Sequence, residues 1–140
     1  MNKYKNVFTS VDNIEFSSKM EANVYEKLSN LKATGLIKDL VLQPKFLLQE
    51  SFPSVYYDGK KEKIMKNKIR EINYISDFTF IYKGKKFVLE VKGMMDQKYP
   101  IKKKIFLNKF GNEYFFMEIR RIRELKKLES IMDELLTHNP

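Results

Sequence analysis

A single segment decides the fold: residues 72–92, INYISDFTFIYKGKKFVLEVK. Branched and aromatic residues fill both of its halves, and the Lys83-Gly84 pair divides them. Such runs on either side of a short, glycine-containing turn favour a β-hairpin. The segment therefore predicts antiparallel strands at Ile72–Tyr82 and Lys86–Lys92.

The register of this hairpin determines which side chains meet across it. A two-residue turn at Lys83-Gly84 places Phe80 opposite Phe87. The same register sets Asp77 opposite Glu90, and directly opposed residues hold their Cβ atoms roughly 4.5–5.5 Å apart. A three-residue loop with a bulge is the alternative, and it shifts the register by one residue while keeping the two carboxylates neighbours.

The remaining sequence predicts three helices and two further strands around this hairpin. The first helix is capped by Ser17 or Ser18 and ends at Gly35, and a strand over Leu36–Leu48 follows, bent or interrupted at Pro44. A second helix runs from Pro100 to about Phe110, and a strand over Glu113–Arg120 comes after it. The final helix is amphipathic, with an apolar stripe formed by Ile122, Leu125, Leu128, Ile131, Met132, Leu135 and Leu136. Three meandering strands followed by a helical crossover to a fourth imply an α/β fold, with a four-stranded mixed sheet flanked by helices.

The chain is organised as one domain. Its 140 residues contain no repeat or Gly/Ser linker, so residues 1–140 are expected to share one core. Residues 1–15 form a polar N-terminal arm in this interpretation, and residues 51–69 form a basic flap or hairpin tip. The apolar stripe of the final helix predicts a place in the core, with a dimer interface as the alternative.

Positive charge is concentrated in the middle of the chain. Lys and Arg number 27 against 18 Asp and Glu, a net charge of +9. Residues 45–109 carry 16 basic and 7 acidic side chains, whereas both ends are close to neutral. Such a segment favours an anionic partner, and the alternative is a Lys-rich decoration of solvated faces.

Composition excludes several classes of protein. The chain has no cysteine, so disulfides and cysteine-based zinc sites are excluded. The single histidine, His138, lies near the end and argues against histidine-based catalysis. No apolar run reaches the length of a membrane span, and Met1–Asn6 does not lead into a signal peptide. We therefore expect a soluble, intracellular protein.

Asp77, Glu90 and Lys92 form the candidate chemical site. Lys92 follows Glu90 by two residues and thus projects from the same face of its strand. Adjacent carboxylates repel each other, and a hard divalent ion such as Mg²⁺ removes that conflict. The lysine would orient or deprotonate a water, or stabilise charge that develops on phosphorus. The alternative is a cross-strand salt bridge at the end of a sheet.

These residues resemble a known nuclease motif. Ser76-Asp77, followed across a hairpin by Glu90-Val91-Lys92, is similar to the motif of the PD-(D/E)XK nuclease superfamily, whose restriction-endonuclease-like core has the order αβββαβ. A closer resemblance, over roughly residues 3–120, is to small phage endonuclease-like proteins of the Holliday-junction-resolvase type. Further supporting segments are Phe16–Ala22, Gln43, Tyr74–Phe78 and Val91–Gly93. Ser76 stands where the name of the motif has proline.

The resemblance implies roles for individual residues. Asp77 and Glu90 would be ligands of Mg²⁺, for which Mn²⁺ can substitute, helped by the Val91 carbonyl. Lys92 would be the catalytic lysine, and Glu21 on the first helix would be a further acidic member of the site.

Two of the candidate residues have structural alternatives. Ser18-x-x-Glu21 is a capping box, in which the Glu21 carboxylate would close back on the helix's own first amide. Gln43 would either line the site from the first strand or face solvent beside Pro44.

Basic side chains supply a candidate DNA surface. The residues are Lys60, Lys61, Lys63, Lys66, Lys68 and Arg70 in the flap, with Lys102, Lys103 and Lys104 at the start of the helix that follows the motif. Flexible lysines can track phosphates, and Tyr56 and Tyr57 can stack on unpaired bases. A solvated loop is the alternative. Arg70 is the only arginine in residues 45–109, so backbone and shape recognition is expected over guanine readout.

Together these features predict a Mg²⁺-dependent DNA endonuclease. By resemblance it would be a phage or prophage protein of the bacterial cytoplasm, a homodimer, and specific for branched DNA such as Holliday junctions. The alternatives are the same chemistry on single-stranded, flap or linear duplex DNA, and a non-catalytic basic module that binds nucleic acid.

Overall fold

The structure is a computed structural model that describes residues 9–92 and 96–138. Within these residues the chain forms ten strands, three α-helices and one 3₁₀ helix. The strands are β1 (Thr9–Val11), β2 (Ile14–Phe16), β3 (Ile37–Leu42), β4 (Lys45–Gln49), β5 (Phe52–Asp58), β6 (Lys63–Ile69), β7 (Ile72–Ile75), β8 (Phe78–Tyr82), β9 (Lys85–Val91) and β10 (Tyr114–Ile119). The helices are α1 (Lys19–Ala33), α2 (Tyr99–Phe110), the 3₁₀ helix (Ile122–Lys127) and α3 (Leu128–Leu135).

A four-stranded mixed sheet lies at the centre, as the sequence predicts. Its order is β10-β9-β8-β3. Strands β3, β8 and β9 form the antiparallel meander, and the crossover through α2 brings β10 parallel to β9.

The turn between β8 and β9 has two residues. Phe80 pairs with Phe87, so the two-residue register is confirmed and the bulged alternative is wrong. Lys83 and Gly84 have φ angles of 49° and 76°. Positive φ at both central positions belongs to the type I′ turn, whose twist matches that of the strands it joins.

The predicted strands Leu36–Leu48 and Ile72–Tyr82 are both broken, and the two breaks lie beside each other. The interruption predicted near Pro44 is confirmed, since β3 ends before Gln43 and β4 begins after Pro44. The single strand predicted over Ile72–Tyr82 is wrong, because it splits into β7 and β8 at Ser76-Asp77. The Gln43 amide donates to the Asp77 carbonyl at 2.9 Å, and the Ser76 amide donates to the Pro44 carbonyl at 3.2 Å.

The break has a local cause in the sequence. Pro44 has no amide to donate to a ladder, and Gln43 adopts a left-handed φ of 51°. Beyond the break, β4 pairs with β7 in a separate ladder. The two strand pairs therefore diverge from Asp77.

Each face of the central sheet is covered by its own core. On one face, Leu28 of α1 and Met132 of α3 belong to the same core as Phe80 and Phe87 of the sheet. On the other, α2 packs through Phe106 against aromatic residues of β4 and β7. The stripe of the final helix belongs mostly to the first core: Leu128 and Met132 are fully buried, whereas Ile122 is exposed.

Both ends of the chain differ in detail from the prediction. Residues 9–15 of the predicted arm, together with Phe16, form a short hairpin, β1–β2, and Phe16 is buried in the core. Residues 1–8 of that arm and Gly93 of the motif lie outside the described residues. The final helix is interrupted: a 3₁₀ helix, whose start Glu124 caps by accepting from the Arg120 and Arg121 amides, precedes α3.

The predicted flap is a two-stranded hairpin, β5–β6, which we call the basic hairpin (residues 52–69). It extends from the far end of the β4–β7 ladder. None of the helices formed by the described residues is long and apolar enough to cross a membrane.

The type I′ turn gives the first prediction. Gly84→Ala should lower the free energy of unfolding by about 1–2 kcal/mol, because an L-residue is strained at positive φ. The measurement is urea unfolding followed by circular dichroism. Gly59→Ala is the matched control: Gly59 lies in the tip of the basic hairpin without positive φ and with open space around it, so a change within about 0.5 kcal/mol is expected. Equal effects of the two substitutions would contradict the turn assignment.

Candidate functional site

Asp77 lies at the break between β7 and β8, next to the first residue of β8. The register of β8 and β9 carries it opposite Glu90, because Phe78 pairs with Leu89. Its Oδ2 accepts a hydrogen bond of 2.6 Å from the Val91 amide. The main chain of the neighbouring strand thus holds this carboxylate in place.

Glu90 is the second carboxylate of the site. It is 8% exposed and projects toward the core that α2 covers. The hydroxyl of Tyr74 donates to its Oε1. Burial, followed by the charge of Glu90, raises the pKa of Tyr74, so this phenol remains a protonated donor.

Glu21 is the third carboxylate, on the first turn of α1. Ser18 caps the helix by accepting from the Glu21 amide at 3.1 Å, but the Glu21 carboxylate accepts from the Ser17 hydroxyl at 2.6 Å. The predicted capping box is therefore half formed, and the carboxylate is available to the site. With Asp77 and Gln43 it lines a cavity of about 220 Å³.

Burial and mutual repulsion dominate the electrostatics of these carboxylates. Burial, then the charges of Glu90 and Glu21, raises the pKa of Asp77 well above the usual range of a carboxyl, although the Val91 amide opposes the shift. Burial likewise raises the pKa of Glu90, against the hydrogen bonds from Tyr74 and Asp77 and the positive charge of Lys92. The ion pairs formed by the described residues include none of the three carboxylates.

Lys92 lies beside the carboxylates without pairing with them. Its Nζ is 3.8 Å from the centre of the Tyr99 ring, which replaces the salt bridge considered as the alternative. Its amide donates to the Ile119 carbonyl at 2.9 Å, which fixes the end of β9. Lys92, Glu90 and Lys102 line a second cavity of about 260 Å³. The ammonium is thus held at the site by an aromatic face.

The other predicted basic residues occupy different surroundings. Lys102 faces the second cavity, and Lys104 is exposed. The Lys103 Nζ forms an ion pair with Glu118 Oε1 at 2.7 Å, so its ammonium is already paired with a carboxylate. The lysines of the basic hairpin and Arg70 are exposed and line neither cavity.

The donor set fits Mg²⁺ through two carboxylates rather than a cage. Within residues 9–92 and 96–138, no three acidic or histidine side chains form a ready-made metal cluster. Asp77 and Glu90 supply hard oxygen donors that are in no ion pair among the described residues, and the Val91 carbonyl is the further donor that the resemblance implies. Mg²⁺ usually takes one or two protein carboxylates and completes its shell with water and phosphate oxygens.

Two tyrosines of the site were missed by sequence analysis. The sequence pattern predicts only that Tyr74 is a strand residue. Its hydroxyl contacts Glu90 because β7, beyond the break, pairs with β4 outside the central sheet. The Tyr99 ring contacts the Lys92 ammonium because the crossover brings the first turn of α2 back to the end of β9. The available signals were the place of Tyr74 within the quoted motif and that of Tyr99 beside Pro100.

The raised pKa of Asp77 predicts a stability change with pH. The folded-state pKa lies above the unfolded value of about 4, so folding takes up a proton and stability falls as the pH rises between those two values. Asp77→Asn keeps an acceptor for the Val91 amide and removes the charge. In EDTA it should raise the free energy of unfolding by about 1–2 kcal/mol at pH 8 and by far less at pH 4.

Urea unfolding at both pH values measures this difference. Glu71→Gln is the matched control, because it removes one carboxylate from an exposed position and should leave the pH dependence unchanged. A destabilised Asp77→Asn protein at pH 8 would show that the carboxylate is satisfied in the metal-free fold.

Comparison with protein-family models identifies a family for the chain. No curated protein matches the chain at a significant level. The model of one family matches residues 1–129, most of the chain, and that family is described as "Protein of unknown function (DUF1064)". The chain belongs to the DUF1064 family.

Proposed function

We propose that the protein is a divalent-metal-dependent DNA endonuclease that hydrolyses phosphodiester bonds in branched DNA such as Holliday junctions. One observation carries the proposal: the half-buried carboxylate of Asp77 adjoins the buried carboxylate of Glu90, and Lys92 lies beside them without forming an ion pair with either. A purely structural cluster would be expected to neutralise its buried charges with a partner.

Asp77 and Glu90 would hold Mg²⁺ or Mn²⁺, together with the Val91 carbonyl. The ion, when bound, would neutralise the phosphate and lower the pKa of the attacking water. The chain provides the fixed positions, since the Val91 amide holds Asp77 and the Tyr74 hydroxyl holds Glu90. Neither carboxylate needs to reorganise when substrate arrives.

Lys92 would act on the scissile phosphate. Tyr99 holds its ammonium over the second cavity, next to Glu90. From there it stabilises charge that develops on phosphorus, or orients the attacking water. Lys102, on the rim of the same cavity, is placed to contact a phosphate of the scissile strand.

The order of elements around the central sheet supports this proposal. It runs α1-β3-β8-β9-α2-β10, which is the αβββαβ order of the superfamily that the motif resembles. The remaining parts of the proposal rest on that resemblance: a homodimer that makes paired incisions, and a phage or prophage protein that acts in the bacterial cytoplasm.

Cleavage of a labelled four-way junction tests the activity. Wild-type protein with Mg²⁺ should cut the junction, and Asp77→Asn or Glu90→Gln should reduce the rate at least about 100-fold, because each substitution removes a charged ligand. Because Asp77→Asn is expected to be the more stable protein, its inactivity cannot come from unfolding.

Glu71→Gln is the matched control, and it should cut at the wild-type rate. A panel of single-stranded, flap and linear duplex DNA at one salt concentration tests the choice of substrate. Equal behaviour of wild type and Asp77→Asn on every substrate would contradict the assignment.

A non-catalytic DNA-binding module is the second candidate, favoured by the lack of a three-ligand cluster in the described part of the chain. Thermal melts distinguish the two, because a ligand that binds only the folded state raises its melting temperature. The endonuclease should gain about 2–5 °C from 10 mM Mg²⁺ at pH 8, and Asp77→Asn should gain about 1 °C or less. A module without a metal site would show the same small shift in both proteins.

A further inference from the structure

We propose that one face of the basic hairpin is a contact surface for an unpaired strand of DNA at a branch point. We call it the Tyr57 face, defined by Pro53, Val55, Tyr57, Ile64, Lys66 and Lys68. The choice of DNA as ligand rests on the proposed function, whereas the surface itself is carried by the geometry of the hairpin.

The strand register separates two adjacent tyrosines. Tyr57 pairs with Ile64 across the hairpin, and Tyr56 pairs with Met65. Because directly opposed residues share a face and successive residues alternate, Tyr56 and Tyr57 project from opposite faces. Only one of them can belong to a given contact surface.

The Tyr57 face is the open one. Val55, Tyr57 and Ile64 are 67%, 61% and 58% exposed. On the opposite face Tyr56 is 42% exposed, and its partner Met65 is half-buried. Large apolar side chains rarely lie together in water without a partner, so their clustering on one face marks an interaction site.

This face combines an apolar row with a basic row. Pro53, Val55 and Tyr57 lie along β5, and Lys66 and Lys68 lie beside them on β6. Neighbouring strands are about 4.8 Å apart, so aromatic and aliphatic surface adjoins the ammonium groups. Proteins that bind single strands use this combination, with bases stacked on side chains and cations along the phosphates.

The charge of the face argues for nucleic acid over a second copy of the chain. None of its six residues is acidic, whereas Asp58 lies on the opposite face. Two copies placed face to face would oppose lysines to lysines, which is unfavourable. A fully paired duplex presents phosphates without base faces, so the exposed Tyr57 and Ile64 favour bases that are unpaired.

The hairpin is joined directly to the candidate site. Strand β7 runs from Ile72, beside the hairpin, to the break before Asp77, and five residues of strand span about 17 Å. Tyr57 and Ile64 lie five residues beyond the base of the hairpin, roughly another 17 Å, so a strand cut at the site would reach them with nucleotides several positions from the cut.

Binding without catalysis tests this surface. Fluorescence anisotropy in EDTA, with a labelled oligo(dT) and with a blunt duplex of equal length, needs neither metal nor cleavage. Tyr57→Ala should weaken binding of the single strand about 5–100-fold and that of the duplex less. Tyr57→Phe should bind as wild type does, and Tyr56→Ala, the matched control from the other face, should stay within about 2-fold.

Salt dependence gives an independent readout. Lys66→Gln should lower the slope of log K against log salt by about 0.7 for the single strand, and Lys32→Gln, an exposed lysine in the last turn of α1, should leave it unchanged. Equal losses for Tyr56→Ala and Tyr57→Ala would overturn the proposal. Equal losses of affinity for single strand and duplex would also overturn it. Binding to anionic phosphatidylserine vesicles is measured in parallel, and a Tyr57→Ala defect seen only with the vesicles would overturn the proposal as well. An inactive enzyme that still shows the Tyr57 effect would contradict the nuclease proposal and leave this surface intact.

Discussion

Repulsion between the Asp77 and Glu90 carboxylates, which hydrogen bonds hold in neighbouring positions, is the constraint on which the site depends. Asp77 is fixed by a main-chain amide and Glu90 by a buried phenol, and Glu21 approaches from the first helix. None of them forms an ion pair among the described residues. Such an arrangement destabilises the metal-free fold, and proteins retain that kind of cost where a site must be preorganised for a ligand.

The shared break in two pairs of strands creates this arrangement. Gln43-Pro44 and Ser76-Asp77 interrupt neighbouring strands at one level and exchange two main-chain hydrogen bonds there. On one side of the break, β3 and β8 continue in the central sheet; on the other, β4 and β7 diverge and lead into the basic hairpin. The shared break therefore positions the Asp77 carboxylate and begins the ladder that leads to the basic hairpin.

The sequence was sufficient for the local parts of the fold. The turn at Lys83-Gly84 sets a register that depends only on residues close in the chain, so the meeting of Asp77 with Glu90 could be predicted. The break in residues 72–82 was not predicted, because it depends on pairing with another part of the chain: Ser76 and Asp77 exchange main-chain hydrogen bonds with the break at Gln43-Pro44. The environments of Lys92 and Lys103 likewise depend on partners brought by tertiary packing.

Direct metal binding tests the central claim most closely, namely that the Asp77–Glu90 pair is a cation site. Electron paramagnetic resonance measures free Mn²⁺, so titration of the protein counts the bound ions without any DNA. Wild-type protein should bind Mn²⁺ in competition with Mg²⁺, and Asp77→Asn and Glu90→Gln should each lose that binding while Glu71→Gln retains it. Undiminished, Mg²⁺-competed binding of Mn²⁺ by Asp77→Asn, or no binding by the wild type, would contradict the claim.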